Sequence, residues 1–166
     1  MKTITLIRHG KSSWKNPELQ DLDRPMNRRG RHNSVTMGER LSLKELVLTT
    51  MYCSPAVRAT ETAMLVAEAI GLPMNSIQIT PLLYTFNYEE LLGWMKSLEQ
   101  NDDDLSVVCH NPAITDLVNF LALSNLEKIP TCGVVVLQLN VSRWDRLGAG
   151  IAEISYYDYP KNDGQI

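Results

Sequence analysis

Arg8, His9, Arg58 and His110 are the residues of this sequence whose types and placement could do chemistry on an anion. An arginine presents a planar fork of donors that matches phosphate or carboxylate, and it keeps its charge throughout the physiological range. Arg58 is predicted to lie in the first turn of a helix, where its charge opposes the helix dipole and calls for a compensating anion. Phosphate is the natural candidate.

Elements must bring these residues together. Short apolar, β-branched runs predict strands over 3–7, 47–53, 76–80, 105–109 and 133–139, with a weaker sixth over 151–156. The first and fourth read as buried. Asn27 is expected to cap a helix to about Leu41, with Gly30 and Gly38 allowing close packing. Ser54-Pro55 reads as an N-cap and first-turn proline, followed by Ala59, Ala63, Val66 and Ile70 on one face until Gly71. Asn87 with Glu90 resembles a capping box ahead of Leu91, Leu92, Met95 and Leu98, and Asn111-Pro112 repeats the cap-then-proline device. Alternating strands and helices predict an α/β layer fold with a largely parallel sheet. Arg8-His9 follows the first strand, Arg58 the second and His110 the fourth. All therefore lie at strand C-terminal ends, where open α/β sheets bind ligands, and the spacing predicts one shared pocket.

Leu6-Ile7-Arg8-His9-Gly10-Lys11-Ser12 resembles the RHG signature of the histidine phosphatase superfamily. Ser54-Pro55-Ala56-Val57-Arg58-Ala59-Thr60-Glu61-Thr62-Ala63 resembles that family's second motif, and Cys109-His110-Asn111-Pro112 its second-histidine motif, in matching order and separation. The stretch Asp21-Leu22-Asp23-Arg24-Pro25-Met26-Asn27-Arg28-Arg29-Gly30, with RHGKSSW and the HNP turn, is most similar to the small SixA-type phosphohistidine phosphatases. The resemblance runs through nearly the whole chain. It implies a three-layer α/β/α sandwich with a mostly parallel central sheet, phosphoglycerate mutase-like, formed by residues 1–166 as a single domain. It also implies that His9 is the nucleophile and forms a phosphoenzyme, that Arg8 and Arg58 clamp the phosphoryl oxygens, and that His110 and the Asn111 backbone N–H donate to the transferring group. A histidine beside a strand is often a satisfied core or rim residue, but three ordered motifs outweigh that reading for His9.

The chain departs from many superfamily members after its third strand. Where they carry a general-acid glutamate, it reads Leu82-Leu83-Tyr84-Thr85-Phe86, and Thr85 cannot protonate a leaving group efficiently. Glu89 is a substitute acid on paper, though an exposed first-turn residue favoured by the dipole is the plainer reading. Losing the acid tilts the expected substrate toward a phosphoramidate, since phosphorylated imidazole departs more readily than an alkoxide. The preferred substrate is a phosphorylated protein, such as a histidine-containing phosphotransfer domain or related carrier, reached through an open pocket without a long lid. A small-molecule phosphomonoesterase and a noncatalytic phosphate-binding module are the alternatives; a phosphoglycerate mutase fits less well, given the short chain and missing acid. The arginines neutralise phosphate without a metal, so neither metal nor cofactor is expected.

Bulk properties set the remaining bounds. A hydrophobic fraction of 44% and a charged fraction of 21% suit a globular chain of 166 residues. The apolar run before Arg8 is too short for a signal peptide or membrane span, so a cytoplasmic location without membrane attachment is expected. Cys53, Cys109 and Cys132 are widely spaced and read as small buried hydrophobes. The net charge of −3 argues against nonspecific nucleic-acid binding, yet Arg8–Arg31 carries +4, a local field suited to a small anion or an anionic patch on a partner. For Arg28, Arg29 and Arg31 a solvated helix face is an equal reading. His32 reads as structural or exposed, Ser12, Ser13 and Lys15 as phosphate donors or loop residues, and Trp14, Trp94 and Trp144 as packing residues.

Overall fold

In a computed structural model that describes residues 1–162, six strands form one sheet. They are β1 (Lys2–Arg8), β2 (Met51–Cys53), β3 (Ile77–Ile79), β4 (Asp104–Cys109), β5 (Val134–Leu139) and β6 (Ala152–Asp158). The helices are α1 (Arg28–Ser42), α2 (Val57–Ile70), α3 (Tyr88–Lys96) and α4 (Ala113–Ala122).

The sheet order is β3-β2-β4-β1-β5-β6; β1, β2, β3 and β4 are mutually parallel, and β5 runs antiparallel to both its neighbours. β1 and β4 are therefore central, and their near-continuous burial follows from being covered on both faces.

Successive side chains of a strand point to opposite faces, and this alternation splits the core in two. Ile4, Leu6, Val107, Val135 and Leu137 face α3 and α4, meeting Leu91, Met95, Ile114, Leu117 and Leu121. Ile7, Val108, Val134 and Val136 face α1 and α2, meeting Met37, Leu41, Ala59, Ala63 and Val66. Three layers result, helices on either side of the sheet, as expected for a phosphoglycerate mutase-like fold.

Two helix starts differ from expectation. The N-cap of α2 is Ala56 and that of α4 is Pro112, neither with a side-chain cap bond. Ser54 and Asn111 are instead drawn into tertiary hydrogen bonds at the sheet edge. Asn27 and Asn87 do cap, accepting from the N–H groups of Gly30 and Glu89, and Gly71 ends α2 in the left-handed conformation at φ 73°. β2 is shorter than expected: Val47 is exposed, and pairing with β3 and β4 begins only at Met51. No helix of the described residues is long and apolar enough to cross a membrane.

Candidate active site

His9 sits where β1 ends, on a turn fixed by its backbone. Its N–H donates to the Cys109 carbonyl at 3.1 Å, and the Cys132 N–H donates to the carbonyls of Arg8 and His9 at 3.1 and 3.2 Å. Gly10 suits the turn because a Cβ there would press on Met26 Sδ and lie 3.0 Å from the Gly30 carbonyl oxygen. The Gly10 N–H donates to Thr62 Oγ1 at 2.8 Å, tying this turn to α2. His9 Nδ1 lies 2.8 Å from the Gly10 carbonyl oxygen. A carbonyl can only accept, so Nδ1 carries the proton and the neutral ring keeps its lone pair on Nε2. Burial above all, with Arg58 and Arg8 adding to it against the opposing Gly10 carbonyl and Asp21, brings the imidazole pKa down to about 4. His9 is thus neutral at pH 7, with 9% of its surface exposed.

His110 follows β4 and is fully buried. Its ring centroid is 5.0 Å from that of His9, with Tyr84 at 5.5 Å and Phe86 at 5.4 Å on other sides. Burial, then His9 and Arg58, push its pKa down to about 3. Nε2 lies 2.7 Å from Ser54 Oγ, and Nδ1 lies 3.5 Å from Arg58 Nη2. Arg58 Nη2 can only donate, so Nδ1 accepts from it and the proton of the neutral ring is on Nε2, which donates to Ser54 Oγ; the same Oγ accepts from the Ala56 N–H at 3.2 Å.

Arg58, second residue of α2, is 2% exposed and donates to the Asp21 carbonyl oxygen at 2.5 Å and to Asp21 Oδ2 at 2.9 Å. Asp21 also accepts from Arg24 at 2.5 Å and from the Tyr84 hydroxyl at 2.6 Å. Burial would raise its pKa, but the Tyr84, Arg24 and Arg58 bonds outweigh that and hold the carboxyl well below the usual carboxylate range. Hence the anion that Arg58 requires is supplied from within the chain. Asp21 takes this position because a buried guanidinium without a counter-charge is costly. Arg8 Nη1 donates to the Ile129 carbonyl at 2.7 Å, while its buried Nε has no partner among the described residues.

Arg8, His9, Arg58 and His110 therefore converge. Asn111 stands beside them, its side chain donating to the Ile129 carbonyl at 3.0 Å and accepting from Thr115 Oγ1 at 2.8 Å, so one carbonyl holds both Asn111 and Arg8. Thr85 is buried and its hydroxyl is bonded to the Glu90 carboxylate. Glu89 is exposed in the first turn of α3. Asp21 and Tyr84 went unassigned in the sequence. Asp21 opens the stretch that resembles the SixA-type enzymes, and Tyr84 stands beside Thr85, but neither place names a role. Trp94 and Trp144 are buried as expected, but Trp14 is 74% exposed, its ring stacked 3.5 Å from the Arg24 guanidinium carbon. Ser12 accepts from Arg24, Ser13 accepts from the Lys15 N–H, and His32 is exposed. The three cysteines are buried and free, and no cluster of three or more His, Cys, Asp or Glu able to hold a metal occurs among the described residues.

Comparison with known proteins places the fold and the family. The structure of the protein histidine phosphatase SixA complexed with tungstate is similar in fold, with a TM-score of 0.78 at 20% identity over 95% of this chain and 97% of that one. A chloroplastic protein of Arabidopsis thaliana is 26% identical over 156 residues, 87% of this chain and 69% of its own length. A 2,3-bisphosphoglycerate-dependent phosphoglycerate mutase of Bartonella henselae is 32% identical over 97 residues, 57% of this chain but only 47% of the mutase. Residues 4–117 match the family model of the histidine phosphatase superfamily, branch 1, a span that holds both arginines and both histidines. With more than half its length so matched, the chain belongs to the histidine phosphatase superfamily.

Proposed function

We propose that the protein is a phosphatase that hydrolyses phosphohistidine on a protein through a covalent phosphoenzyme at His9. The observation that carries this reading is the Nδ1–H bond of His9 to the Gly10 carbonyl, which leaves Nε2 unprotonated in a ring kept neutral by burial. Nε2 attacks phosphorus, its lone pair forms the new P–N bond, and the substrate P–N bond breaks with its electron pair passing to the departing imidazole, which takes a proton. Water then attacks the phosphoryl group on His9, releasing inorganic phosphate and restoring the free ring. Arg8 Nε, a buried donor without a partner, and Arg58 hold the oxygens, Arg58 exchanging Asp21 for phosphate as the substrate seats. Once Arg58 turns from His110 to the phosphate, Ser54 can donate to Nε2 and the ring proton then sits on Nδ1, where it donates to the phosphoryl group, and the Asn111 backbone N–H adds a further donor. Two guanidinium groups supply the neutralising charge, so turnover is expected to continue in excess EDTA.

Support for the substrate class comes from the position after β3. Thr85 is bonded to Glu90 and Glu89 is exposed, so neither supplies the buried acid that an alkoxide leaving group needs. Such an acid contributes typically about 10² to 10⁴ in rate. The fold shared with protein histidine phosphatase SixA points the same way. Purified protein is expected to hydrolyse phosphohistidine protein or peptides with higher kcat/KM than phosphoserine, sugar phosphates or p-nitrophenyl phosphate. The reverse order would remove the substrate assignment, and phosphate binding without turnover would indicate a binding module.

A further inference from the structure

We infer that a basic shelf beside Arg8 is the docking surface for the substrate protein, and that the partner presents an acidic surface around its phosphorylated residue. This rests on the phosphoprotein reading above. Two adjoining cavities form the shelf. One, of about 550 Å³, is lined by Arg8, Lys11, Glu127, Lys128, Pro130 and Thr131. The other, of about 350 Å³, shares Lys11, Pro130 and Thr131 and extends to Arg29, Tyr159 and Lys161. Arg8 thus belongs both to the phosphoryl site and to the wall of this shelf, and a macromolecule whose phosphate rests on Arg8 must cover the surface next to it.

Charge selects the partner. The two cavities bring together Arg8, Lys11, Arg29, Lys128 and Lys161 against one carboxylate, Glu127, a local charge of +4 on a chain whose total is −3. Segments far apart in sequence supply these cations. Elsewhere the arginines at 24, 31, 40, 58 and 143 are paired with carboxylates, whereas Lys11, Arg29 and Lys128 form no ion pair among the described residues. Unpaired cations at the rim of a site raise association with an oppositely charged partner and oppose a basic one. A nucleic acid fits less well, because an extended polyanion would run beyond the shelf onto a surface of net negative charge.

The test uses phosphohistidine peptides of one length with either Glu/Asp-rich or Lys-rich flanks, alongside phosphoramidate as a substrate too small to reach the shelf. Wild type is expected to favour the acidic over the basic peptide by about tenfold in kcat/KM at low salt, and to lose that preference in high salt. Lys11→Glu/Lys128→Glu and Arg29→Glu should abolish the preference while leaving phosphoramidate hydrolysis unchanged. Fluorescence anisotropy with an unphosphorylated acidic peptide reads docking independently of turnover and should show the same loss. If no phosphohistidine peptide is hydrolysed but the acidic peptide still binds through these residues, the substrate reading fails and the docking surface stands. An unaltered acidic preference in the variants, no salt-sensitive binding of the acidic peptide to wild type, or tighter binding of a single-stranded oligonucleotide than of the acidic peptide would overturn the inference.

Discussion

The His9 and His110 rings lie 5.0 Å apart, tilted at 53°, both neutral because burial and two arginines disfavour a third and fourth positive charge in the same space. Neutrality is what a nucleophilic imidazole needs, and it gives the site a pH signature. Once the substrate's own ionisation is divided out, the acidic limb of kcat/KM should fall near pH 4, the pKa of His9, and not near the ordinary histidine value of 6.5. A limb centred on 6.5 would mean that the ring is solvated in the working enzyme. Ser54 acts one step away, through the 2.7 Å bond that decides which nitrogen of His110 carries the proton. Ser54→Ala should lower kcat by about ten- to a hundredfold and lower the melting temperature as well, since His110 Nε2 and the Ala56 N–H both lose a buried partner. Nitrogen-15 shifts of His110 should then show mixed tautomers; unchanged shifts and unchanged kcat would show Ser54 to be mere packing.

At the scale of elements, the loop between β1 and α1 is stapled inward. Ser12 bridges to Met26, and Arg24 ties Ser12 and Asp21 together under Trp14. This places Asp21 on Arg58, so the carboxylate both stabilises the buried guanidinium and competes with phosphate for it. Asp21→Asn should therefore bind inorganic phosphate several-fold more tightly while melting at a lower temperature. Unaltered phosphate affinity with an unaltered melting point would show that Asp21 does neither. Much of this scale was legible in advance: strand ends, the Asn27 and Asn87 caps and the Gly71 stop are local chemistry and stand where propensity puts them. Ser54 and Asn111 were misread as caps because their partners, His110 and Ile129, are distant in sequence, and a hydrogen bond to a buried group outweighs a cap. The Asp21–Arg58 pair, 37 residues apart in a loop and a helix, left no local pattern to read.

For the whole molecule, the parallel arrangement of β1, β2 and β4 is what turns scattered motifs into one site, since all three strands end at the same edge. That convergence could be anticipated from strand-helix alternation alone; the sheet's two-faced core follows from apolar side chains on both faces of β1, β4 and β5. Crowding two histidines there has a cost for the fold. As pH falls below 6.5 the unfolded chain takes up protons at these rings while the folded chain resists until about pH 4 and 3, so stability complete above 6.5 is lost progressively toward acid. The melting temperature should fall across that window, and His9→Gln/His110→Gln should flatten the fall; an equally steep fall in the double variant would place the acid sensitivity elsewhere. The most direct measurement remains quenching of the enzyme in alkaline detergent during turnover of a phosphorus-32-labelled phosphohistidine substrate, with mapping of the labelled residue under alkaline conditions. Wild type should carry an acid-labile, base-stable phosphoryl group on His9, and His9→Ala should carry none and turn nothing over. Label on another residue, or undiminished hydrolysis by His9→Ala, would contradict the account.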